Sequence, residues 1–320
     1  MYNKKISVII PIYNEEKNIY KCVKNLVAQT TPDFHVVFIN DGSTDKSLQV
    51  LNNTLSTTNP NFSFEIISQK NSGAAKARES GINHSTSEYV MVFDCDDSAT
   101  NDYIECTLRS LLHTNADISL PKMRIEQIDG NFKDFIFYDK RPEYTGKECL
   151  EYSLGRWKVH GVMCAKKSLF LKSYDTYKTY NPMDVNYINN DEIIARLNFY
   201  HSNKVVKNNG TYSYLNNLES TTKKINENSY LMCKNAQILY DLFGKNMGQI
   251  SKNTQQELVE TMWRTLKYAI KNKHLLSNTL LWKQQIIATL RFINLHKKNM
   301  SLSFKNKTRI LKAHIYLLAL

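Results

Sequence analysis

This 320-residue sequence lacks the features that mark disulfide-rich, membrane-spanning and dinucleotide-binding proteins. Its six cysteines are scattered and form no Cys-x-x-Cys pair, so we expect reduced cytosolic thiols. No apolar run approaches the roughly 20 residues that a membrane-spanning helix needs. The first apolar run, Ile6–Ile12, is too short for a signal peptide and contains a proline, which favours a first β-strand. No Gly-x-Gly-x-x-Gly follows that strand, which disfavours a dehydrogenase.

Acidic residues are scarce in the last third of the chain. Residues 1–220 hold 25 Lys/Arg and 26 Asp/Glu, whereas residues 221–320 hold 17 and 4. Charge alone would allow nucleic-acid binding, but no aromatic-rich β platform or zinc-finger spacing accompanies it. We therefore expect no nucleic acid among the partners.

Two basic segments near the end, Trp282–Lys298 and Lys305–Leu320, carry apolar residues at helical spacing. Such helices either lie on an anionic membrane surface or pack on the rest of the protein with a solvated basic face. Both alternatives stay open for these segments. The apolar residues concerned are Trp282, Ile286, Leu290 and Ile293 in the first segment, and Ile310, Leu311, Ile315, Leu317 and Leu318 in the second.

The first hundred residues alternate between strand and helix patterns, which predicts a doubly wound, mostly parallel α/β sheet covered by helices. Beyond residue 120 the pattern loosens, and residues 120–180 suggest hairpins and loops. Asn190–Tyr200 has a helical pattern, and residues 228–320 are mainly helical and basic. The predicted strands are Ile6–Ile10, Phe34–Asn40, Phe64–Ser68 and Tyr89–Phe93, and the helices between them are Glu16–Gln29, a segment around Leu48–Leu55, and Gly73–Ile82.

A polar segment follows each of the four predicted strands. The carboxyl ends of parallel strands meet at one edge of a sheet, where open α/β proteins bind their ligands. We call these four segments together the strand-end site. They are Pro11-Ile-Tyr-Asn-Glu15, Asn40-Asp-Gly-Ser43, Asn71-Ser-Gly-Ala-Ala-Lys-Ala-Arg78 and Asp94-Cys-Asp-Asp97.

The last of these segments favours a divalent metal that holds a substrate phosphate. Close carboxylates such as Asp94, Asp96 and Asp97 repel one another unless a cation or a proton lies between them. A solvated acidic turn is the alternative for this motif alone. Cys95, between two of the carboxylates, is read as a small neutral spacer rather than a ligand of the metal.

The other segments suit a nucleoside diphosphate. Tyr13 offers a face for stacking on a base, and Asp41 can accept a hydrogen bond from an imide N–H, which uracil has and cytosine lacks. Arg78 can donate to phosphate oxygens from its planar fork. Taken singly, these residues could belong to ordinary turns or to a solvated helix. Chance does not readily place all four segments in register with four strands.

With these motifs the chain resembles the family 2 inverting glycosyltransferases, strongly over residues 5–100 and weakly beyond. Two substitutions depart from the family pattern, since Asn40 replaces its first acid and Glu79 replaces its usual Asn. Pro11–Glu15 with Gln29-Thr30 matches the family's Pro-x-Tyr-Asn-Glu with Gln-Thr, and Asn40–Asp45 matches its Asp-Asp-Gly-Ser-Thr-Asp. Asn71–Gly81 matches its Asn-x-Gly…Ala-Arg-Asn-x-Gly, and Asp94–Asp97 matches its Asp-x-Asp-Asp.

The resemblance implies a fold of the GT-A type, a nucleotide-diphospho-sugar transferase fold with a doubly wound mixed sheet. Residues 1–225 would form the catalytic domain, and residues 226–320 a basic helical region. It also implies Mn²⁺ or Mg²⁺ as cofactor, held by Asp96. The predicted nucleotide-sugar contacts are Pro11, Tyr13, Glu15, Asp41, Asn71, Arg78, Asp94, Cys95 and Asp96.

The activity implied is transfer of a hexosyl or N-acetylhexosaminyl group from a UDP-sugar donor to a hydroxyl of a glycan or lipid-linked glycan. The setting implied is the synthesis of cell-surface polysaccharide or lipooligosaccharide. We expect a cytoplasmic protein that is peripheral on the inner face of the cell membrane.

Family members also carry a Glu-Asp pair that opens a helix past the middle of the chain, with the Asp as catalytic base. Asn190-Asp191-Glu192 matches best, so the resemblance implies that Asp191 is the base. A helix cap is the alternative role for Asp191. Trp157 and His160 lie where such enzymes recognise their acceptor, although a Trp is as often part of the core and a lone His is more often structural.

A second hypothesis belongs to a different class of enzyme. Val90–Ser98 also matches the strand and Asp-x-Asp-x-Ser/Thr motif of the haloacid-dehalogenase-like Mg²⁺-dependent phosphatases. There Asp94 would be the nucleophile and Asp96 the acid/base. That motif ordinarily ends the first strand of its domain, whereas three strand–helix pairs precede it here, and the first two segments of the strand-end site stay unexplained.

Overall fold

The computed structural model describes residues 4–217, 225–318 and 320. The chain divides into two compact units. Unit 1 comprises Met1–Cys149, Lys158–Thr179 and Ile194–Asn217, and unit 2 comprises Leu150–Trp157, Tyr180–Ile193 and Leu218–Leu320. The domain boundary that the sequence places near residue 225 stays a prediction.

Within its described residues, unit 1 is built on one mixed sheet of ten strands. The first four strands begin and end within a few residues of their predicted bounds. The strands are β1 Ile6–Ile12, β2 Phe34–Asn40, β3 Ser63–Ser68, β4 Tyr89–Val92, β5 Ser98–Ala99, β6 Ile118–Glu126, β7 Phe132–Asp134, β8 Glu143–Thr145, β9 Cys164–Lys166 and β10 Lys204–Tyr214.

The strand order is β3-β2-β1-β4-β9-β6-β10-β5, with β7 beside β6 and β8 beside β10. β1 runs parallel to both β2 and β4, and β2 runs parallel to β3. β9 is antiparallel to its neighbours β4 and β6, whereas β10 is parallel to β6. The expected doubly wound mixed sheet is therefore confirmed, and its four strands β1–β4 are parallel to one another.

The helices cover the sheet in unit 1 and make up most of unit 2. The predicted helices of the first hundred residues and the predicted helical region after residue 228 are confirmed. The helices are α1 Ile19–Val27, α2 Ser47–Thr58, α3 Ala74–His84, α4 Tyr103–Thr114, α5 Gly146–Ser153, α6 Lys167–Tyr180, α7 Asn190–His201, α8 Met232–Phe243, α9 Gln249–Lys271, α10 Thr279–His296 and α11 Phe304–Tyr316.

The prediction of hairpins and loops for residues 120–180 is wrong in part. That stretch includes α5 and the 14-residue α6. The buried face of α6 is formed by Leu169, Phe170, Ser173 and Tyr177, which have helical spacing. Only two of these four, Leu169 and Phe170, are aliphatic or phenyl side chains. With Lys, Thr and Tyr residues between the buried positions, the helical spacing of apolar residues is not apparent in the sequence.

Of the parallel strands, β1 and β2 are buried on both faces, as strands flanked by helices require, whereas the edge strand β3 has no fully buried residue. Val8 and Ile10 of β1 belong to the hydrophobic cluster that also holds residues of α1, α2 and α4. Ile9 points to the opposite face, where α3 crosses the sheet at Gly81. A Cβ atom on Gly81 would lie 2.3 Å from Cγ2 of Ile9, so only glycine lets α3 approach this closely.

In unit 2 the apolar face of α10 is buried. Trp282, Ile286, Leu290 and Ile293 are between 0 and 2% exposed. Ile286, Leu290 and Ile293 join one hydrophobic cluster with residues of α8 and α9. Of the two alternatives for this segment, packing on the protein is therefore supported. None of the helices in the described part of the chain combines the length and apolar character that crossing a bilayer requires.

The close approach at Gly81 predicts the effect of one added methyl group. Gly81→Ala should lower the free energy of unfolding by about 1–3 kcal/mol, because overpacking against β-branched Ile9 outweighs the better helix propensity of alanine. Urea unfolding of both proteins measures the difference. Ser80→Ala, at a half-buried position on the same helix, controls for the helix propensity of alanine. A Gly81→Ala protein as stable as the wild type would contradict the packing described.

Candidate active site

The strand ends of unit 1 bring the four segments of the strand-end site together, as their register requires. Pro11 lies beside Ile39 at the ends of β1 and β2, and Asn40 lies beside Ser68 at the ends of β2 and β3. The backbone N–H of Phe93, after β4, donates to the carbonyl of Ile9. The segments that follow these strands are therefore neighbours, and side-chain hydrogen bonds connect them.

Asn14 connects the first segment to the loop after β2. Its backbone is left-handed, with a φ of 57°, a conformation that Asn tolerates better than most residues. Its Oδ1 accepts from the backbone N–H of Thr44 at 2.8 Å, and its own N–H donates to Ser43 Oγ at 3.1 Å. The N–H of Glu15 donates to Ser47 Oγ at 2.8 Å. Tyr13 and Glu15 thus stand on a loop that is held in place.

Asp41 connects the second segment to the third. Its Oδ1 accepts from Gln69 Nε2 at 2.8 Å and from the N–H of Ser72 at 2.9 Å, and its Oδ2 accepts from the N–H of Gly73 at 2.8 Å. The residue is 1% exposed. In this structure Asp41 holds the loop that leads into α3, and its contact with a base stays a prediction.

Arg78 connects the third segment to the fourth. Its Nη2 donates to both carboxylate oxygens of Asp94, at 2.9 and 3.2 Å. The arginine side chain is 20% exposed and that of the aspartate 35%. A guanidinium has five N–H donors, so the group that neutralises Asp94 has the chemistry to hold a phosphate as well.

Glu15, Asp94 and Asp96 lie close enough to influence one another. Burial raises the pKa of Glu15, and the charges of Asp96, Asp94 and Asp45 raise it further, while a hydrogen bond from Asn18 lowers it. Nδ2 of Asn217 donates to Asp96 Oδ2 at 2.9 Å. This edge of the sheet is therefore negative. Arg78 contacts Asp94 there, and the side-chain amide of Asn217 contacts Asp96.

Asp97 faces the interior of the protein, unlike its neighbours Asp94 and Asp96. It is 6% exposed and accepts from the hydroxyl of Tyr212 at 2.5 Å and from the N–H of Leu215 at 2.9 Å. Burial raises the pKa of Asp97 to about 7, with the charges of Asp94 and Asp96 adding to the shift and the two hydrogen bonds opposing it. Asp97 thus attaches the end of β10 to the fourth segment.

The carboxylates of the fourth segment suit a hard divalent cation. In the described part of the chain, no three His, Cys, Asp or Glu side chains are grouped so that they could hold a metal ion. A protein cage of that kind is not what Mg²⁺ usually requires, because it is commonly bound by one or two carboxylates together with substrate phosphates and water. Asp96, whose charge is close enough to raise the pKa of Glu15, fits this donor set.

The remaining predicted contacts differ in their exposure. The ring of Tyr13 is 49% exposed, as stacking on a base requires. Asn71 is exposed and Pro11 is half-buried at the end of β1. Cys95 is 4% exposed and belongs to the hydrophobic cluster under the sheet, where a hydrogen bond with Cys22 and burial hold the pKa of its thiol well above the usual range. This supports the reading of Cys95 as a spacer.

Sequence reasoning missed the end of β10. Tyr212, Leu215 and Asn217 contact the acidic segment about 120 residues earlier in the chain. The available signal was the pair Asn216-Asn217 directly after an extended stretch, the same pattern that identified the other strand ends. The predicted strands end before this region, so the sequence patterns predict no strand end here.

Asp191 lies in unit 2, in the first turn of α7, and is exposed. The residues around it are fixed by an amide cluster, in which Nδ2 of Asn235 donates to Oδ1 of Asn189 at 2.9 Å and to Oδ1 of Asn190 at 3.0 Å. Asn190, which replaces the usual Glu, is 8% exposed and forms part of this cluster. The role of Asp191 as base stays a prediction.

The two predicted acceptor contacts have different surroundings. Trp157 is half-buried at the end of the segment Leu150–Trp157 in unit 2. His160, in unit 1, is 4% exposed, and its ring packs against Phe135 and Phe137, each with its centroid 5.0 Å away. Its Nε2 lies 2.9 Å from the carbonyl of Pro121. For His160 the structural alternative is therefore supported.

Known glycosyltransferases are similar to this chain in sequence. The protein-family model described as glycosyl transferase family 2 matches residues 7–174. Among curated proteins, glycosyltransferase GlyA of Streptococcus pneumoniae is 32% identical over 38% of this chain and 17% of its own length. Glycosyltransferase GlyG of the same organism is 29% identical over 48% of this chain and 52% of its own length. The matched part thus spans about half or less of the length of these relatives. Neither relative supports the phosphatase hypothesis.

Solved structures extend the likeness of fold over nearly the whole chain. Residues 1–349 of Staphylococcus aureus TarS in complex with UDP share 19% identity and a TM-score of 0.64, covering 98% of this chain and 90% of that one. The same part of TarS in complex with UDP-GlcNAc shares 20% identity and a TM-score of 0.63, covering 89% and 79%. The expected GT-A type of fold is confirmed.

The surroundings of His160 predict a pH dependence of stability. Burial lowers the pKa of His160 to about 4, whereas a histidine in an unfolded chain titrates near 6.5. As the pH falls from about 6.5 to about 4, the unfolded state binds a proton that the folded state excludes, which lowers the free energy of unfolding by up to about 3 kcal/mol. Urea unfolding at several pH values measures this slope.

His160→Gln supplies the comparison, because glutamine does not titrate. Its stability should be lower at neutral pH, since packing is lost, but should fall less steeply between pH 6.5 and 4. His113→Gln, at an exposed position of α4, controls for the loss of an imidazole. Parallel pH curves for the wild type and His160→Gln would contradict the buried, neutral state of His160.

Proposed function

The chain belongs to glycosyl transferase family 2, and from this premise we propose that it transfers a sugar from a UDP-sugar to a hydroxyl of a glycan acceptor. The reaction proceeds with inversion and serves cell-surface polysaccharide or lipooligosaccharide synthesis. The observation that carries the proposal is the carboxylate edge formed by Asp94 and Asp96 beside Arg78. The TarS structures with UDP and UDP-GlcNAc support a uridine nucleotide as the donor.

The nucleotide would occupy the strand-end site from the base to the diphosphate. The exposed face of Tyr13 stacks on uracil, and the exposed Asn71 lies on the loop that Asp41 holds. A carboxylate has about four acceptor positions, and Asp41 uses three of them, which leaves one for the imide N–H of the base. Arg78 would donate to the diphosphate from its planar fork, beside its contact with Asp94.

The diphosphate is the leaving group, and its charge must be stabilised as the bond to the sugar breaks. Asp96 would hold Mn²⁺ or Mg²⁺ against the phosphates, while Asn217 keeps its carboxylate oriented. When bound, this cation supplies Lewis-acid stabilisation of the departing UDP. Asp97 positions the whole segment through Tyr212 and Leu215 and does not itself contact the donor.

The acceptor hydroxyl is the nucleophile in a single displacement. Asp191 removes its proton while the oxygen bonds to the anomeric carbon, and the bond between that carbon and the phosphate oxygen breaks. UDP leaves with the bonding electrons, and one displacement inverts the anomeric configuration. The amide cluster around Asn235 keeps the first turn of α7, and with it Asp191, in a defined conformation.

Replacing the base separates catalysis from donor binding. Asp191→Asn should reduce transfer by at least roughly a hundredfold, the lower range of general-base effects, and leave UDP affinity nearly unchanged. Transfer is followed by UDP release and affinity by calorimetry with UDP and Mn²⁺. Asp175→Asn makes the same change at an exposed aspartate of α6 and should behave like the wild type. Full transfer activity in Asp191→Asn would remove Asp191 from this role.

Replacing the metal ligand should affect binding instead. Asp96→Ala should weaken UDP binding roughly tenfold or more when Mn²⁺ is present and change it little when a chelator is present. Asp129→Ala, at an exposed turn, is the control. Equal metal dependence in Asp96→Ala and the wild type would contradict the assignment. Mg²⁺-dependent hydrolysis of p-nitrophenyl phosphate without UDP binding would instead favour the phosphatase hypothesis.

A further inference from the structure

Helix α11 in unit 2 and the turn directly after it carry a row of large apolar side chains on their outer surface. Phe304, Leu311, Ile315 and Leu318 are 86, 70, 67 and 86% exposed. Their spacing of seven, four and three residues places them on one face of a helix. We call these four residues the outer stripe. A row of this size on a helix surface is typical of a binding face rather than of scattered exposed residues.

The opposite face of α11 fixes the helix so that the outer stripe cannot turn inward. Asn306, Ile310, Ala313 and Leu317 are between 0 and 9% exposed, and the last three belong to the hydrophobic cluster of unit 2. Nη1 of Arg309 lies 2.8 Å from an oxygen of Glu260 on α9. Rotation that buried the stripe would break this ion pair and expose the cluster.

Hydrogen bonds at the start of α11 reinforce this attachment. Ser303 caps the helix by accepting from the N–H of Asn306 at 3.3 Å. Nδ2 of Asn306 donates to Oε1 of Gln256 on α9 at 2.6 Å, and the hydroxyl of Ser303 donates to the same oxygen at 2.9 Å. The inner face of α11 is therefore polar at its beginning and apolar later, and both parts are engaged.

The charge around the outer stripe has one sign. From Thr261 to the last residue the sequence has twelve Lys/Arg and no Asp or Glu. Lys307 and Lys312 are exposed, and a helical wheel places them on opposite sides of the outer stripe. Apolar side chains between exposed lysines are the arrangement of helices that lie in the interface of an anionic bilayer.

We propose that the outer stripe of α11 docks on an anionic lipid bilayer. The helix lies parallel to the surface, with its four apolar side chains among the acyl chains and Lys307 and Lys312 at the lipid phosphates. The sequence analysis treats the apolar residues of Lys305–Leu320 as one set, whereas the structure divides them between two faces. Ile310 and Leu317 pack inward, whereas the residues of the outer stripe face out.

A second copy of the chain is a poorer occupant of this surface. In a symmetric dimer the same surface meets itself, so the lysines beside one outer stripe would approach those beside the other without acidic partners. Anionic lipid, in contrast, supplies both the apolar depth and the opposite charge. Docking on lipid is independent of sugar transfer, so Asp96→Ala should bind vesicles as the wild type does.

The test uses the full chain and two kinds of vesicle, one of phosphatidylcholine and one with roughly a quarter phosphatidylglycerol. The wild type should float with the anionic vesicles at low salt and bind the neutral ones at least about tenfold more weakly. Leu311→Ser with Ile315→Ser should lower binding to anionic vesicles about tenfold or more, without changing the melting temperature, because both side chains are exposed. Lys307→Gln with Lys312→Gln should also weaken binding and reduce its salt dependence.

The matched control changes two isoleucines of similar exposure in unit 1. Ile128 and Ile136 are 94 and 80% exposed, and Ile128→Ser with Ile136→Ser should bind vesicles like the wild type. Equal binding of the wild type to both kinds of vesicle would overturn the proposal, and so would undiminished binding by the stripe variant. A dimer seen by analytical ultracentrifugation that the stripe variant abolishes would assign the surface to a second copy instead.

Discussion

Repulsion between carboxylates at one edge of a sheet is the constraint around which unit 1 is arranged. Glu15, Asp94, Asp96 and Asp97 follow the ends of β1 and β4. Burial raises the pKa of Glu15 and of Asp97, and the charges of Asp94 and Asp96 raise both further. Arg78 offsets part of this charge through two contacts with Asp94. What remains is a negative edge whose charge a divalent cation would balance when it binds there together with a diphosphate. A solvated acidic turn would need none of these buried supports.

The supports come from distant parts of the chain and leave little freedom at the site. Asn14 and Asp41 each accept several hydrogen bonds from a neighbouring segment, so the loops position one another rather than depending on their own turn propensities. The end of β10 contributes Tyr212 and Asn217 to the acidic segment. Preorganisation of this kind holds charged groups in place before a ligand arrives, which is how a site stabilises developing charge.

The sequence predicted the first four strands and their helices well because β-branched runs and helical periods are strong there and short polar segments separate them. It also predicted which strand ends carry polar side chains. It failed at α6, where Tyr and Ser occupy buried positions, and at Asn217, which contacts its partner across a long sequence separation. The burial of Asp41 and His160 depends on tertiary packing, which no local pattern reports. The same holds for α11, whose apolar residues divide between two faces.

The central claim is that Asp96 holds a divalent metal against a uridine diphosphate at the ends of β1 and β4. Crystals grown with UDP and Mn²⁺ test it directly, because manganese scatters anomalously and its position can be found without assumptions about the ligand. The account predicts an anomalous peak within coordination distance of the Asp96 carboxylate and beside both phosphates. Bound UDP with no peak there, or a peak at another group of carboxylates, would contradict it.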